Sequence, residues 1–433
     1  MSINAALAAP TSVPALPAPA GPEGGFDVPG VLIALVAILV ATKVLGELAQ
    51  RVRQPAVLGE LIAGVLLGGS VLGLVNPADP VIHTLAEIGV IILLFEIGLE
   101  TELASLLRVG PAAATVAIVG VAAPFALGYF AALGLGLAGV NALVCGAALC
   151  ATSVGITARV LAELGWLDSN EGRVILGAAV IDDIIGLIIL AIIASMVSGA
   201  SLSALAVGRI AGVAIIFVAL AVLIGTLVAR PAFRVFEKIR AANALGLFGL
   251  AFAFLLAWLA QRSGSAMIVG AFAAGLVLYR LPQRHEIEKA STVIGHFFVP
   301  IFFAAVGAQV DLRALLDPRA LLLGAVLVGV GIVGKMVAGF APWWFKGDRL
   351  MVGLGMVPRG EVGLIFAQMG LAAGAVTAGQ YGALMIMVLG TTFITPPALA
   401  WRARRHAAKP PDPQDPVGSG GIDDLVAGTR VGR

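Results

Sequence analysis

Charged residues are scarce in this chain. Only 12% of its 433 residues are Asp, Glu, Lys or Arg, whereas 60% are hydrophobic. A soluble domain of this length carries about a quarter charged residues, so the composition argues against a soluble globular fold. The formal net charge of +2 is too small to indicate a nucleic-acid partner. The composition therefore indicates a polytopic membrane protein.

Cysteine and histidine are also rare. Cys145 and Cys150 are the only cysteines, and their five-residue spacing points them to different faces of one helix. We interpret both as small buried hydrophobic side chains rather than as a disulfide or a metal site. The four histidines lie near the ends of apolar runs or in connections, without the spacing of metal ligands.

Long apolar runs, in contrast, are abundant. Thirteen of them are long enough to cross a hydrocarbon layer of about 30 Å as helices, which is the form that pairs all backbone groups in lipid. They lie near 31–50, 55–74, 82–100, 109–133, 138–163, 173–198, 205–229, 243–261, 264–280, 290–311, 320–342, 350–373 and 380–401.

These runs predict a transmembrane domain over residues 30–402. It is flanked by a disordered tail at 1–29 and a short polar tail at 403–433. An odd number of spans places the two tails on opposite sides of the membrane. Most Lys and Arg residues of the connections fall on the side of the C-terminus, so the positive-inside rule predicts a cytoplasmic C-terminus and an external N-terminus.

Two stretches recur about 210 residues apart. GELIAGVL (59–66) resembles GAFAAGLV (270–277), and LLFEIGLETEL (93–103) resembles FFAAVGAQVDL (302–312). The offset equals seven predicted spans, so the second copy would cross the membrane in the opposite sense, as in many secondary transporters. The alternative is chance likeness between helices rich in Leu, Gly and Ala.

The same offset pairs CATSVGITARVL (150–161) with GMVPRGEVGLIF (355–366). Both stretches place polar residues and glycine at mid-membrane depth. This pattern favours discontinuous helices that cross near one another, and the alternative is a simple kink.

Five charged residues are predicted to lie deep within spans: Asp182, Asp183, Lys335, Arg359 and Glu361. Each such charge usually costs ~2.5–3.5 kcal/mol or more and is a functional candidate. Successive helix residues project ~100° apart, so the two aspartates cannot serve one point equally. Lys335 is the natural partner for one of them, which leaves the other to face a water-filled cavity.

A carboxylate that faces such a cavity can hold a proton or a small cation, but not both, which is the minimum device for exchanging one for the other. The alternative is a buried salt-bridge cluster that only fixes helix packing. For Arg359 and Glu361, a purely structural role is an equally good interpretation, in which they neutralise the half-helix ends and stabilise the crossing. Glu60 fits the packing between the repeats, and Glu96 has no assigned role.

These motifs resemble those of bacterial monovalent cation/proton antiporters of the NapA type over residues 31–402. The similarity rests on QPAVLGELIAGVLLG (54–68), ATSVGITARVLAELG (151–165), ILGAAVIDDIIGLIIL (175–190), VPIFFAAVGAQVDL (299–312), GKMVAGF (334–340) and MVPRGEVGLIFA (356–367). It implies an all-α polytopic fold of about thirteen helices. The fold would contain inverted repeats, two unwound crossing helices, a core subdomain and a dimerisation subdomain.

The resemblance also implies roles for the site residues. Asp183 would bind the proton and Na⁺, and Asp182 would pair with Lys335. Thr152 and Ser153 would lie at the crossing, close to the ion.

Arg359 and Glu361 would steady that crossing. The implied protein is a homodimer in the lipid bilayer of a bacterial inner membrane, and it is not an enzyme. Its implied function is electrogenic exchange of Na⁺ or Li⁺ for H⁺ by an elevator-type movement, with K⁺/H⁺ exchange as the alternative. The resemblance implies no cofactor beside the transported ions.

Three other classes of membrane protein fit the residues less well. An intramembrane aspartyl protease needs two carboxylates that converge on one water, which adjacent residues of one helix do poorly. A passive channel needs a continuous polar lining, whereas this chain has a single group of charged residues with apolar segments on both sides. A carrier of organic anions with the same fold has no need for the two aspartates and Lys335.

Overall fold

The computed structural model describes residues 27–137, 139–197, 204–236, 243–310, 312, 317–372 and 374–407. The regular structure of this part of the chain is α-helical. The helices are α1 (Val28–Arg51), α2 (Ala56–Leu67), α3 (Pro80–Glu100), α4 (Leu103–Arg108), α5 (Gly110–Gly134), α6 (Val140–Ala148), α7 (Val154–Glu163), α8 (Asn170–Val197), α9 (Ala204–Phe236), α10 (Ala244–Arg262), α11 (Met267–Leu278), α12 (Arg284–Ala308), α13 (Pro318–Phe340), α14 (Arg349–Gly355), α15 (Glu361–Ala372) and α16 (Ala378–Ala407).

Among the described residues, eight helices are long and apolar enough to cross a membrane: α1, α3, α5, α10, α12, α13 and parts of α9 and α16. Shorter apolar helices are α2, α11 and Val362–Ala372 of α15. The chain is therefore an all-helical polytopic membrane protein, and the count of thirteen spans stays a prediction.

The predicted boundaries differ from the observed helices in several places. Helix α4 was not predicted, and the runs at 138–163 and 350–373 are each divided into two short helices at the places where the sequence favours discontinuous helices. Helix α1 starts slightly before residue 30, and α16 continues past residue 402. Otherwise, the two predicted tails lie outside the described residues.

Several helices begin at an aspartate that the sequence places just before them. Asp79 Oδ1 accepts hydrogen bonds from the first-turn amides of α3, and Asp317 and Asp348 do the same for α13 and α14. Proline follows Asp79 and Asp317 directly, at a helix position where a missing N–H costs nothing. Aspartate also complements the positive end of the helix dipole, so these short motifs define where the helices start.

The helices pack in two groups. The crossing bundle comprises α4, α5, α6, α7, α8, α13, α14, α15 and α16, and the flanking bundle comprises α1, α2, α3, α9, α10, α11 and α12. Helix α7 packs against α2 and α3 as well as against α8 and α16, so it lies where the two bundles meet.

Two close contacts between helices are equivalent. One joins α2 to α12, and the other joins α11 to α3. A Cβ atom on Gly64 of α2 would lie 2.8 Å from the Cα of Gly307 on α12. A Cβ atom on Gly275 of α11 would lie 2.6 Å from the Cα of Gly98 on α3. Gly275 and Gly307 follow Gly64 and Gly98 by about 210 residues. The stretches that resemble one another in sequence therefore make equivalent contacts, and only glycine allows these backbones to approach so closely.

Candidate functional site

Two helix interruptions face each other inside the crossing bundle. One separates α6 from α7 at residues 149–153, and the other separates α14 from α15 at residues 356–360. Ser153 N donates to Pro358 O at 2.8 Å, and Thr152 Oγ1 donates to Met356 O at 3.3 Å. Backbone groups that lack helical partners are thus satisfied across the two interruptions, which is how irregular backbone is tolerated at membrane depth.

Three side chains hold the two interruptions together. Thr157 Oγ1 donates to Gly355 O at 2.6 Å, and Arg359 Nη1 donates to Ala151 O at 3.1 Å. Thr392 Oγ1 of α16 donates to Arg359 O at 2.6 Å. Sequence reasoning proposed Arg359 but missed Thr157 and Thr392, because hydroxyls in apolar runs commonly bond to their own helix.

Asp182 lies on α8 and is fully buried. Lys335 Nζ of α13 lies 3.3 Å from Asp182 Oδ2 and donates to Cys150 O at 2.9 Å. Asp182 Oδ1 has no hydrogen-bond partner among the described residues. Lys335 thus connects α13 both to α8 and to the end of α6, where unpaired carbonyls carry partial negative charge.

Asp183 lies on a different face of α8 and lines a small cavity. Thr152, Ser153 and Gly360 line the same cavity from the two interruptions. The flanking bundle contributes the apolar residues Val90, Ile268 and Phe302. The cavity therefore lies at the boundary between the two bundles.

The cavity offers about 20 Å³ for the centres of water-sized particles. About 10–15 Å³ is enough for one water molecule, so the space suits one water or one dehydrated small cation. Its oxygen-bearing side chains are the Asp183 carboxylate and the hydroxyls of Thr152 and Ser153. Hard cations prefer such oxygen ligands.

The half-helix ends set the electrostatics of the cavity. Val154 and Gly155, at the N-terminus of α7, line it, as does Val362 at the N-terminus of α15. Both N-termini carry partial positive charge, which balances the carboxylate of Asp183 when no cation is bound.

Arg359 and Glu361 are the remaining predicted site residues, and the structure describes the side chain of Arg359 alone. Arg359 is fully buried, and its Nε and Nη2 have no hydrogen-bond partner among the described residues. Glu361 begins α15, and its side chain lies outside the described part of the structure.

Comparison with known proteins identifies the family. The family described as "Sodium/hydrogen exchanger, transmembrane" matches residues 31–404. The high-affinity Na⁺/H⁺ antiporter NhaS3 of Synechocystis sp. is 41% identical over 429 residues, which cover 90% of this chain and 93% of that protein. The Na⁺/H⁺–K⁺ antiporter GerN of Bacillus cereus is 35% identical over 374 residues, which cover 84% and 94% of the two chains.

A solved structure has the same fold. The sodium–proton antiporter MjNhaP1 of Methanocaldococcus jannaschii superposes with a TM-score of 0.64, covering 88% of this chain and 99% of that chain at 16% identity. Such low identity supports the fold alone, whereas the family match spans most of the sequence. The chain belongs to the sodium/hydrogen exchanger family of membrane transporters.

Proposed function

We propose that this protein exchanges Na⁺ for H⁺ across a membrane, with Asp183 as the carboxylate that holds either ion. The observation that carries the proposal is the cavity that Asp183 lines together with Thr152 and Ser153, which has room for one small cation. The names of NhaS3 and GerN, both Na⁺/H⁺ antiporters, support the choice of ions.

In this proposal, Na⁺ enters the cavity and is bound by the Asp183 carboxylate and the two hydroxyls. A proton that binds to Asp183 removes the negative charge and releases the cation, so the two ions compete for one group. Arg359 and Glu361 steady the two interruptions at which the cavity is built.

We infer that exchange is electrogenic because Asp182 and Lys335 form a second charged pair beside Asp183. A lysine whose partner changes during the cycle can release and take up a proton of its own. Replacing Lys335 with Gln should then weaken or remove the current that accompanies exchange. An unchanged current would separate Lys335 from charge movement.

The arrangement of the bundles supports an elevator-type movement. The ion-binding groups all belong to the crossing bundle, whereas the apolar outer wall of the cavity belongs to the flanking bundle. A sliding movement of one bundle against the other would expose the cavity to each side in turn. We also propose a homodimer in a bacterial plasma membrane, with the N-terminus outside and the C-terminus in the cytoplasm.

K⁺/H⁺ exchange is the alternative, because GerN is named a Na⁺/H⁺–K⁺ antiporter. The small volume of the cavity favours a smaller ion, since K⁺ needs more space than Na⁺ or Li⁺. Exchange measured with each of the three cations should therefore be strongest with Na⁺ or Li⁺.

The deciding experiment uses the purified protein in proteoliposomes with an imposed pH gradient. Asp183→Asn should abolish Na⁺-dependent proton movement, because the amide can neither bind a proton nor supply a charge. Asp168→Asn is the matched control, since Asp168 is exposed in the connection before α8 and should exchange normally. Full activity of Asp183→Asn would refute the assignment of the site.

A further inference from the structure

A second group of ionisable side chains lies beside the cavity, and we call it the Arg159 cluster. It comprises Arg159 and Glu163 of α7, Glu60 of α2 and Glu96 of α3. Gly155 lines the cavity, and Arg159 follows it by four residues on the same face of α7. The backbone of Arg159 therefore lies about one helical turn, or ~6 Å, along α7 from Gly155.

Glu163 joins the two bundles within this cluster. Arg159 Nε lies 2.7 Å from Glu163 Oε1, and Ala56 N donates to Glu163 Oε2 at 2.7 Å. Helix α2 begins after Pro55, which provides no side-chain cap. A carboxylate of the crossing bundle thus caps a helix of the flanking bundle, and α2 is held to α7 as long as Glu163 keeps this position.

Glu60 lies one turn further along α2 and is 3% exposed. Its Oε2 has no hydrogen-bond partner among the described residues. Glu60 interacts electrostatically with Arg159 and Glu163 on α7 and with Lys43 on α1. Lys43 is exposed, whereas Arg159 is partly buried and is already paired with Glu163.

Glu96 adds a third carboxylate that is influenced by Arg159. Its Oε1 is also without a hydrogen-bond partner among the described residues. Three carboxylates therefore lie around one guanidinium, and Glu60 is the most deeply buried of them. Isolated buried carboxylates are costly when ionised, and a bound proton removes that cost.

We propose that Glu60 is a second proton-binding group of this transporter: it holds a proton in the conformation described here, and its ionised form draws Arg159 away from Glu163. The side chains of Arg159 and Glu163 are 28% and 17% exposed, and α7 ends at Glu163, so the proposed path for the proton runs along this end of the helix. Loss of the Glu60 proton would weaken the hold of Glu163 on Ala56, and so the contact between α2 and α7. This inference rests on the proposed antiport function for its role, but the protonation itself can be measured without transport.

Infrared spectroscopy of the purified full-length protein tests the protonation. A protonated Glu60 contributes a carboxylic-acid carbonyl band at neutral pH, and Glu60→Gln should lose that band. Glu47→Gln is the matched control, because Glu47 is exposed and pairs with Arg51 on α1. Identical spectra for the wild type and Glu60→Gln would overturn the proposal. If Glu60→Gln does not fold, Glu60→Asp should shift the band, and an unshifted band would overturn the proposal equally.

Exchange measured against pH tests the coupling. Glu60→Gln cannot ionise, so it should match the wild type at low pH and fall severalfold below it at alkaline pH. Hydrogen–deuterium exchange of the peptide around Ala56, corrected for the intrinsic rate, should rise with pH in the wild type but not in Glu60→Gln. Profiles that coincide over the whole pH range would overturn the coupling.

The antiport site at Asp183 and the second proton site at Glu60 can be refuted independently of each other. Exchange that survives in Asp183→Asn would refute the antiport site and leave the infrared result for Glu60 standing. An unchanged infrared spectrum in Glu60→Gln would refute the second proton site and leave the Asp183 assignment standing.

Discussion

At the scale of single residues, Asp182 and Asp183 are neighbours in sequence with different surroundings. Asp182 Oδ2 contacts the ammonium group of Lys335, whereas Asp183 lines the cavity. The angle of ~100° between successive helix residues makes this division unavoidable. Both residues of the buried pair are fully enclosed, so neither charge can be stabilised by water if the other is removed.

This burial predicts a stability effect for Lys335→Gln. Removing one partner of a buried ion pair typically costs ~3–5 kcal/mol, because the remaining charge has no counterion. The melting temperature of the variant in detergent should therefore fall strongly, and adding Asp182→Asn should recover a large part of the loss. Lys43→Gln is the control, since Lys43 is exposed on α1. Equal melting temperatures for Lys335→Gln and Lys43→Gln would contradict this account of the pair.

At the scale of helices, the candidate site is built mainly by the two interruptions and less by the helices that they divide. Four short helices end or begin around one point, and some of their backbone groups are paired across the crossing. The contact is very close at Gly360, where a Cβ atom would lie 2.7 Å from Ser153 Oγ. This position therefore requires glycine for steric reasons.

Gly360→Ala should push the interruptions apart. Overpacking of this kind usually costs ~1–3 kcal/mol, so the protein should still fold, but Ser153 and the cavity would be displaced. We expect a large loss of exchange in proteoliposomes with a modest loss of thermal stability. Gly208→Ala is the control, because a Cβ atom on Gly208 meets no other atom within 4 Å. Normal exchange by Gly360→Ala would show that the close contact is not needed.

At the scale of the whole molecule, the cavity lies between two bundles that are each internally well packed. Few polar contacts join the bundles within the described residues, and the Glu163–Ala56 hydrogen bond is one of them. Asp348 and Arg402, in contrast, form a 2.6 Å ion pair inside the crossing bundle.

This arrangement predicts which thiol cross-links block transport. In a background with Cys145 and Cys150 replaced by alanine, a cross-link between Ala56→Cys and Glu163→Cys should stop exchange, because it ties the bundles together. A cross-link between Asp348→Cys and Arg402→Cys should leave most of the exchange, because both residues lie in the crossing bundle and the proposed movement would carry them together. Each reduced variant is its own control, and equal effects of the two cross-links would contradict an elevator-type movement.

The sequence alone determined the class of the protein and indicated the region of the candidate site. Apolar runs show where helices can cross lipid, because unpaired backbone groups are too costly there. The cost of buried charge singled out Asp182, Asp183 and Lys335. Polar residues and glycine at mid-depth also indicated the two interruptions, since these residues weaken a continuous helix.

Only the tertiary structure decided which groups meet. The pairing of Thr392 with Arg359 O, the apolar outer wall of the cavity and the surroundings of Glu60 all join residues that are far apart in the chain. Helical periodicity reports the face on which a side chain lies, but not the helix that it faces. Those contacts depend on how the two bundles pack, and packing depends on all helices at once.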